Sequence, residues 1–311
     1  VSTILANRQL VDRYSNEVST GIKARDPGDT SLAGTISQLR QNLDKAEGYK
    51  KVLSSTTSFI EYQDSIMNQM NELLVRLKEI GTQAANETNG NITRSQMAEE
   101  VYQIRDHMTT LANSTYQGRY IYAGAADNDP PYERTTYTDT PATSAPISDR
   151  WFFDPEPGTG SLRTIQLTDD LQMTVNSPGN TLFDTAIQAA ETMARAMSGY
   201  STTGTTGTAY NFPTDLPLQS QAIRTAIDLA DVAREQQIIP ERVALGGKLR
   251  RIETAESLLR MSKQNSEDVL GRLQNADEAE SASALALAQN ALQASYTATS
   301  LILRLSIMDF I

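Results

Sequence analysis

Residues 32–74, LAGTISQLRQNLDKAEGYKKVLSSTTSFIEYQDSIMNQMNELL, carry an apolar residue at every seventh position: Leu32, Leu39, Ala46, Leu53, Ile60, Met67 and Leu74. A heptad repeat sustained this long specifies a helix that buries a narrow seam against partner helices. A second, interrupted stripe lies toward the other end: Leu245, Ile252, Leu259 and Leu273, then Leu287, Ala294, Leu301 and Met308. Between the two runs a stretch containing proline and glycine that has no such period. The pattern predicts a mainly α protein with an inserted β-rich domain (α+β). Its N- and C-terminal segments would form a long antiparallel helical bundle or coiled coil, a rod with an inserted knob.

Proline placement supports this division. Pro27 stands alone until Pro130 and Pro131, the others crowd between Pro141 and Pro217, and Pro240 is the last. Proline breaks helix interiors, so 31–126 and 241–311 are free to be helical. Ile4, Val11 and Val18 give the segment Thr3 to Thr20 its own helical pattern, with Gly21 and Asp26-Pro27-Gly28-Asp29 as its stop and loop. A helix from about Ser31 to Ala85 spans on the order of 80 Å and needs lateral partners. Asn89-Gly90 marks a turn, and Met97, Val101, Ile104, Met108 and Leu111 mark the returning helix.

After Asn113 the pattern changes. Arg119-Tyr120-Ile121-Tyr122, bracketed by Gly118 and Gly124, favours a strand. Residues 127–178 read as the β-rich domain, with Trp151-Phe152-Phe153 in its core. Residues 181–197 read as a helix, 198–207 as a low-complexity mobile loop, and helix resumes from about Pro217, kinked at Pro240. The expected domains are therefore 1–126 and 179–311, two halves of one helical domain, with 127–178 inserted as an outer domain.

Composition narrows the function. At 311 residues with 39% apolar content the chain can bury a core, and its formal charge is −11. That acidity argues against nucleic acid and against an anionic membrane as partners, since both require clustered Lys and Arg. The absence of cysteine removes disulfides and thiolate chemistry. No apolar run approaches the roughly 20 residues needed to span a bilayer. The start, Val1-Ser2-Thr3-Ile4-Leu5, shows no secretory signal and no initiating Met. An exported chain of this kind would use a route that reads no such signal.

No motif makes a case for catalysis, a cofactor or a metal. The single histidine, His107, sits on a predicted helix without an HxxxH or ExxH partner and reads as a surface or interhelical residue. Asp127-Asn128-Asp129 resembles the start of a calcium loop, but Pro130-Pro131 interrupts the ligand spacing, so a turn is expected. Three Asn-x-Ser/Thr triplets begin at Asn86, Asn91 and Asn113, a pattern common by chance.

Several blocks resemble the flagellin superfamily, and more closely its hook–filament junction branch. They are Val18-Ser19-Thr20-Gly21-Ile22-Lys23 with Asp26-Pro27-Gly28-Asp29; Leu111-Ala112-Asn113-Ser114-Thr115 leading into Gly118-Arg119-Tyr120-Ile121-Tyr122-Ala123-Gly124; and Ala291-Leu292-Gln293-Ala294-Ser295-Tyr296 with Leu305-Ser306-Ile307-Met308. The Gly118–Gly124 block is the specific one, because filament flagellins differ there. Gly28-Asp29-Thr30 departs from the family's Ser-Asp-Asp-Pro run, and the amino-terminal extension is shorter.

The resemblance implies a structural, non-enzymatic adaptor that joins the hook, through the first hook-associated protein, to the flagellin filament. It further implies passage through the flagellar type III export route with an export chaperone, extracellular placement, and self-association in a ring. The residues it points to for assembly are Ile4, Val11, Val18, Leu292, Tyr296, Leu301, Leu305 and Met308. Two alternatives are a filament-forming flagellin and, ranked lowest, a surface carbohydrate-binding or hydrolytic protein using Trp151.

Overall fold

The heptad stripe lies on one continuous 55-residue helix, α2 (Thr30–Ala84), which follows α1 (Ser2–Thr20). A computed structural model describes residues 2–23, 30–86, 88–136, 138–140, 149–153, 161–169, 171–203 and 206–308. The Asp26–Asp29 loop expected between α1 and α2 lies outside these. After α2 come α3 (Asn91–Ala112), β1 (Thr115–Tyr116), β2 (Arg119–Tyr120), β3 (Tyr132–Thr136), β4 (Thr138–Thr140), β5 (Asp149–Phe153), β6 (Thr164–Thr168) and β7 (Leu171–Thr174). Then follow α4 (Gly179–Met197), β8 (Tyr200–Thr203), β9 (Thr206–Ala209), α5 (Leu216–Val232), a π-helical segment (Ala233–Ile238), α6 (Ile239–Gln274) and α7 (Glu278–Met308). The protein is α-rich with small sheets. Residues 1–50 with 257–311 form one compact unit, and 51–256 form the other.

In the second unit the stripe does what its spacing predicts. Leu53, Ile60 and Met67 are wholly buried, and Leu74 is nearly so. A second register joins them: Thr56, Gln63, Met70, Leu77 and Ala84 are buried at the alternating spacings of three and four that build a seam. Two of those five are polar. Gln63 is accommodated because its Nε2 donates to the carbonyl of Val175 at 3.0 Å. One heptad beyond Leu74 stands Gly81, where an added Cβ would come within 2.7 Å of Met193 Cε and 2.8 Å of Ile227 Cγ1. The glycine is there because α4 and α5 press close to α2.

α4 is the hub of this unit. Leu182, Phe183, Ala186, Ile187, Ala190, Met193, Ala194 and Met197 are all buried, so the helix is covered on most of its circumference. Fully buried Arg94 of α3 ties neighbouring elements together. Its guanidinium donates to Gln219 Oε1 at 2.7 Å, Ser220 Oγ at 2.8 Å and the Asn86 carbonyl at 3.3 Å. Such a cation is tolerated in a core because both Nη groups find acceptors.

The strands form small sheets: antiparallel pairs β1–β2, β3–β5 and β6–β7, and a three-stranded sheet in the order β4-β9-β8 with β4 and β9 parallel. Three local expectations differ from this. The mobile loop expected at 198–207 instead holds β8 and the start of β9, which pair antiparallel, because its threonines are β-branched and suit strands despite their low complexity; 204–205 lie outside the described residues. The strand expected at 119–122 ends after Tyr120. Ile121 and Tyr122 turn inward, and their backbone groups bond Ser114 O and Gly179 N. Trp151 is half-buried rather than at the centre of a core, with Nε1 donating to Asp106 Oδ1 at 3.0 Å and Arg134 over its ring.

The helix through Pro240 widens into the π segment just before the proline, which cannot supply the N–H that a regular α turn would use. It also stops before the C-terminus, at Asn275–Asp277. There Asp277 Oδ1 accepts from the N–H groups of Ala279 and Glu280, capping α7.

Candidate assembly surfaces

In the first unit α1 and α7 pair antiparallel. Asn7 Nδ2 donates to Ser295 Oγ at 2.8 Å, while nearer the other end of α1 Ser281 Oγ donates to Glu17 Oε2 at 3.2 Å. The pairing closes on a short bridge. Gly21, at φ +67, caps α1 in the left-handed region, Ile22 pairs with Asn275, and Lys23 N–H donates to Gln274 O at 2.7 Å.

The α7 side of this seam is Ser281, Leu285, Ala288, Leu292, Ser295 and Thr299, all buried or half-buried and spaced four and three apart. It is a seam of mostly small residues. The stripe legible in the sequence, Leu287, Ala294 and Leu301, lies on the opposite side of α7 and is exposed, with Leu287 at 68% and Leu301 at 55%.

The eight residues singled out for assembly therefore divide. Ile4, Val11 and Leu292 are half-buried on the faces that pair α1 with α7. Val18, Tyr296 and Leu301 are exposed. Leu305 and Met308 belong to α7, but their side chains lie outside the described residues. Sequence spacing alone did not reveal the small-residue seam. Its signal was present in the serines and alanines that repeat beside the leucines.

The Leu111–Thr115 and Gly118–Gly124 blocks have a clear structural role. Asn113 acts like a strand residue: Nδ2 donates to Tyr132 O and Oδ1 accepts from Tyr132 N–H, both at 2.9 Å. Tyr132 OH then reaches Asp184 Oδ1 at 2.6 Å and Gly179 O at 3.1 Å. Burial pushes the Tyr132 and Tyr122 hydroxyls above the ordinary tyrosine range. The Tyr122 ring meets Phe183 edge-on at 4.7 Å. Together these groups fasten the end of α3 and the start of α4.

The remaining sequence candidates resolve simply. His107 is exposed on α3. Asp127 is no calcium ligand start: its carboxylate accepts from Arg119 Nη1 at 2.9 Å and its carbonyl from Tyr120 N–H. Asn86 is exposed and closes a turn with Thr88. Among the described residues no helix is long and apolar enough to cross a membrane, and no group of three or more His, Asp or Glu could hold a metal.

Comparisons with known proteins agree with this architecture. Residues 1–127 match the family model for the bacterial flagellin N-terminal helical region. The chain is 27% identical over 126 residues to flagellar hook-associated protein 3 of Salmonella typhimurium, a match spanning 40% of each chain. It is 23% identical over 304 residues to flagellar hook-associated protein 3 of Escherichia coli, covering 92% of this chain and 88% of that one. The fold is shared with the flagellar junction protein FlgL of Legionella pneumophila, at 13% identity and a TM-score of 0.56, over 79% of this chain and all of that one. Over residues 1–127 the chain is thus similar to the flagellin N-terminal helical region, and over nearly its whole length to flagellar hook-associated protein 3.

Proposed function

We infer that this chain is a structural component of the bacterial flagellum, acting as the adaptor between hook and filament. The observation that carries the reading is the unburied apolar surface of the terminal helices. α7 spends serine and alanine on its pairing with α1 and leaves Leu287, Tyr296 and Leu301 exposed. α1 likewise exposes Leu5, Leu10 and Val18. Apolar stripes of this kind on long helices are suited to burial against neighbouring helices. The alignment with hook-associated protein 3 of Escherichia coli, which runs over nearly the whole chain, supports the same reading.

On this reading the exposed stripes pack against further copies in a ring. They also meet the first hook-associated protein on one side and flagellin on the other. Ile4, Val11 and Leu292 hold each subunit's ends together, while Val18, Tyr296, Leu301, Leu305 and Met308 serve the contacts between subunits. Delivery is by the flagellar type III route, with an export chaperone covering the apolar helices before assembly.

Deleting the gene tests the proposal. Hooks without filaments, with flagellin released to the medium, are expected. Normal filaments on the deletion strain would overturn it.

A further inference from the structure

The Gly118–Gly124 block is only partly explained by packing. Ile121, Tyr122, Ala123 and Gly124 are buried, but Arg119 and Tyr120 are not. These two line a notch of about 190 Å³ in the second unit. One wall is the α2 face carrying Ser55, Thr56 and Phe59, another is the β1–β2 hairpin from Tyr116, and Arg163 stands at the third side. The hairpin is a two-residue turn with Gln117 at φ 53 and Gly118 at φ +80, which fixes its shape. Tyr116 meets Phe59 edge-on at 5.2 Å, so the aromatic wall is also held.

The two arginines differ. Arg119 is held by Asp127 through Nη1 at 2.9 Å. Arg163 is anchored only by its backbone, its N–H donating to Asn176 Oδ1 at 2.6 Å and its carbonyl accepting from Val175 N–H at 3.0 Å. Among the described residues its guanidinium has no hydrogen-bond or ion-pair partner. An anchored backbone carrying a free planar cation beside aromatic rings suits recognition of a carboxylate.

The size decides what kind of ligand fits. Small-molecule pockets run to about 300–1,000 Å³, so this notch admits one side chain rather than a metabolite. Charge decides the source. The chain carries 38 acidic against 27 basic residues, so a basic notch on it is complementary to the prevailing surface of its own copies.

We propose that the Arg119–Arg163 notch receives an aspartate or glutamate side chain from a second copy of this chain, as a head-to-tail contact between subunits. The proposal rests on the adaptor reading above, which calls for a ring. A basic notch that takes a carboxylate from a different surface of the next copy makes a heterologous contact, the kind that generates rings when the rotation closes. Arg and Tyr at the contact match the residues enriched at protein interfaces.

The test places a photo-crosslinking residue at the notch rim, Ser55→p-benzoylphenylalanine, in flagellated cells, and identifies the captured peptide by mass spectrometry. Capture of an Asp- or Glu-bearing peptide from another copy is expected. Arg163→Glu should lower that yield by about tenfold, while Arg163→Lys retains most of it, as expected for a charged pair of about 1.4 kcal/mol. No capture, capture within the same copy only, or capture of a different flagellar protein would overturn the proposal. Filament attachment in the same cells separates the two readings. Filaments present without capture remove the notch contact alone, whereas filaments that persist in the gene deletion remove the adaptor reading itself.

Discussion

Asn7 and Ser295 lie 288 residues apart and are joined by a 2.8 Å hydrogen bond across the α1–α7 seam. A polar residue at a seam position fixes register at some cost in stability. Asn7 pins α1 to one turn of α7, and Glu17 with Ser281 pins the opposite end. Replacing Asn7→Ala should weaken the pairing by about 0.5–1.5 kcal/mol. The measurement is amide hydrogen exchange in α7, which should speed up around 288–299 and leave α4 unchanged.

Gly81 offers a sharper packing test. Gly34 and Gly48 sit in the same helix with open space where a Cβ would go, but at Gly81 that Cβ meets Met193 and Ile227. Gly34→Ala and Gly48→Ala should each stabilise by about 0.5–1 kcal/mol through helix propensity. Gly81→Val should instead destabilise by about 1–3 kcal/mol by overpacking. Urea denaturation of the three variants checks both signs.

The paired bonds from Asn113 to the Tyr132 backbone predict an asymmetric result. Asn113→Asp keeps the acceptor for Tyr132 N–H but turns a second acceptor toward Tyr132 O, which had received the Nδ2 donor. A loss of about 1–3 kcal/mol at neutral pH is expected, recovered in part as the new carboxylate is protonated in acid. Thermal melts of the variant at both ends of the acid range provide the check.

Tyr122 predicts the reverse of a usual core substitution. Its ring packs on Phe183, but its buried hydroxyl has no hydrogen-bond partner among the described residues. Tyr122→Phe keeps the ring and removes an unmatched polar group. It should be neutral or stabilising by up to about 1 kcal/mol, where Tyr122→Ala should cost about 3–5 kcal/mol.

Much of the helical architecture was legible because heptad spacing reports directly on burial. Leu53, Ile60, Met67 and Leu74 lie where their period puts them. The same rule misread α7, since a period shows that a face is apolar without saying which partner covers it. Leu287 and Leu301 are periodic and exposed, whereas the face paired with α1 holds Ser281, Ala288 and Ser295, too small to stand out. Polar tethers were invisible for another reason. Asn113 and Gln63 act on carbonyls of Tyr132 and Val175, partners that only the folded chain brings near. The β8–β9 pair was hidden by its low-complexity composition, although its threonines carry strand propensity.

The adaptor account is tested most directly by electron cryomicroscopy of intact flagella at the boundary between hook and filament. It predicts a discrete layer of density at that boundary into which this chain fits, with the Leu287 and Leu301 face of α7 covered by a neighbouring helix. Density for this chain repeated along the filament, or absent from the boundary, would contradict it.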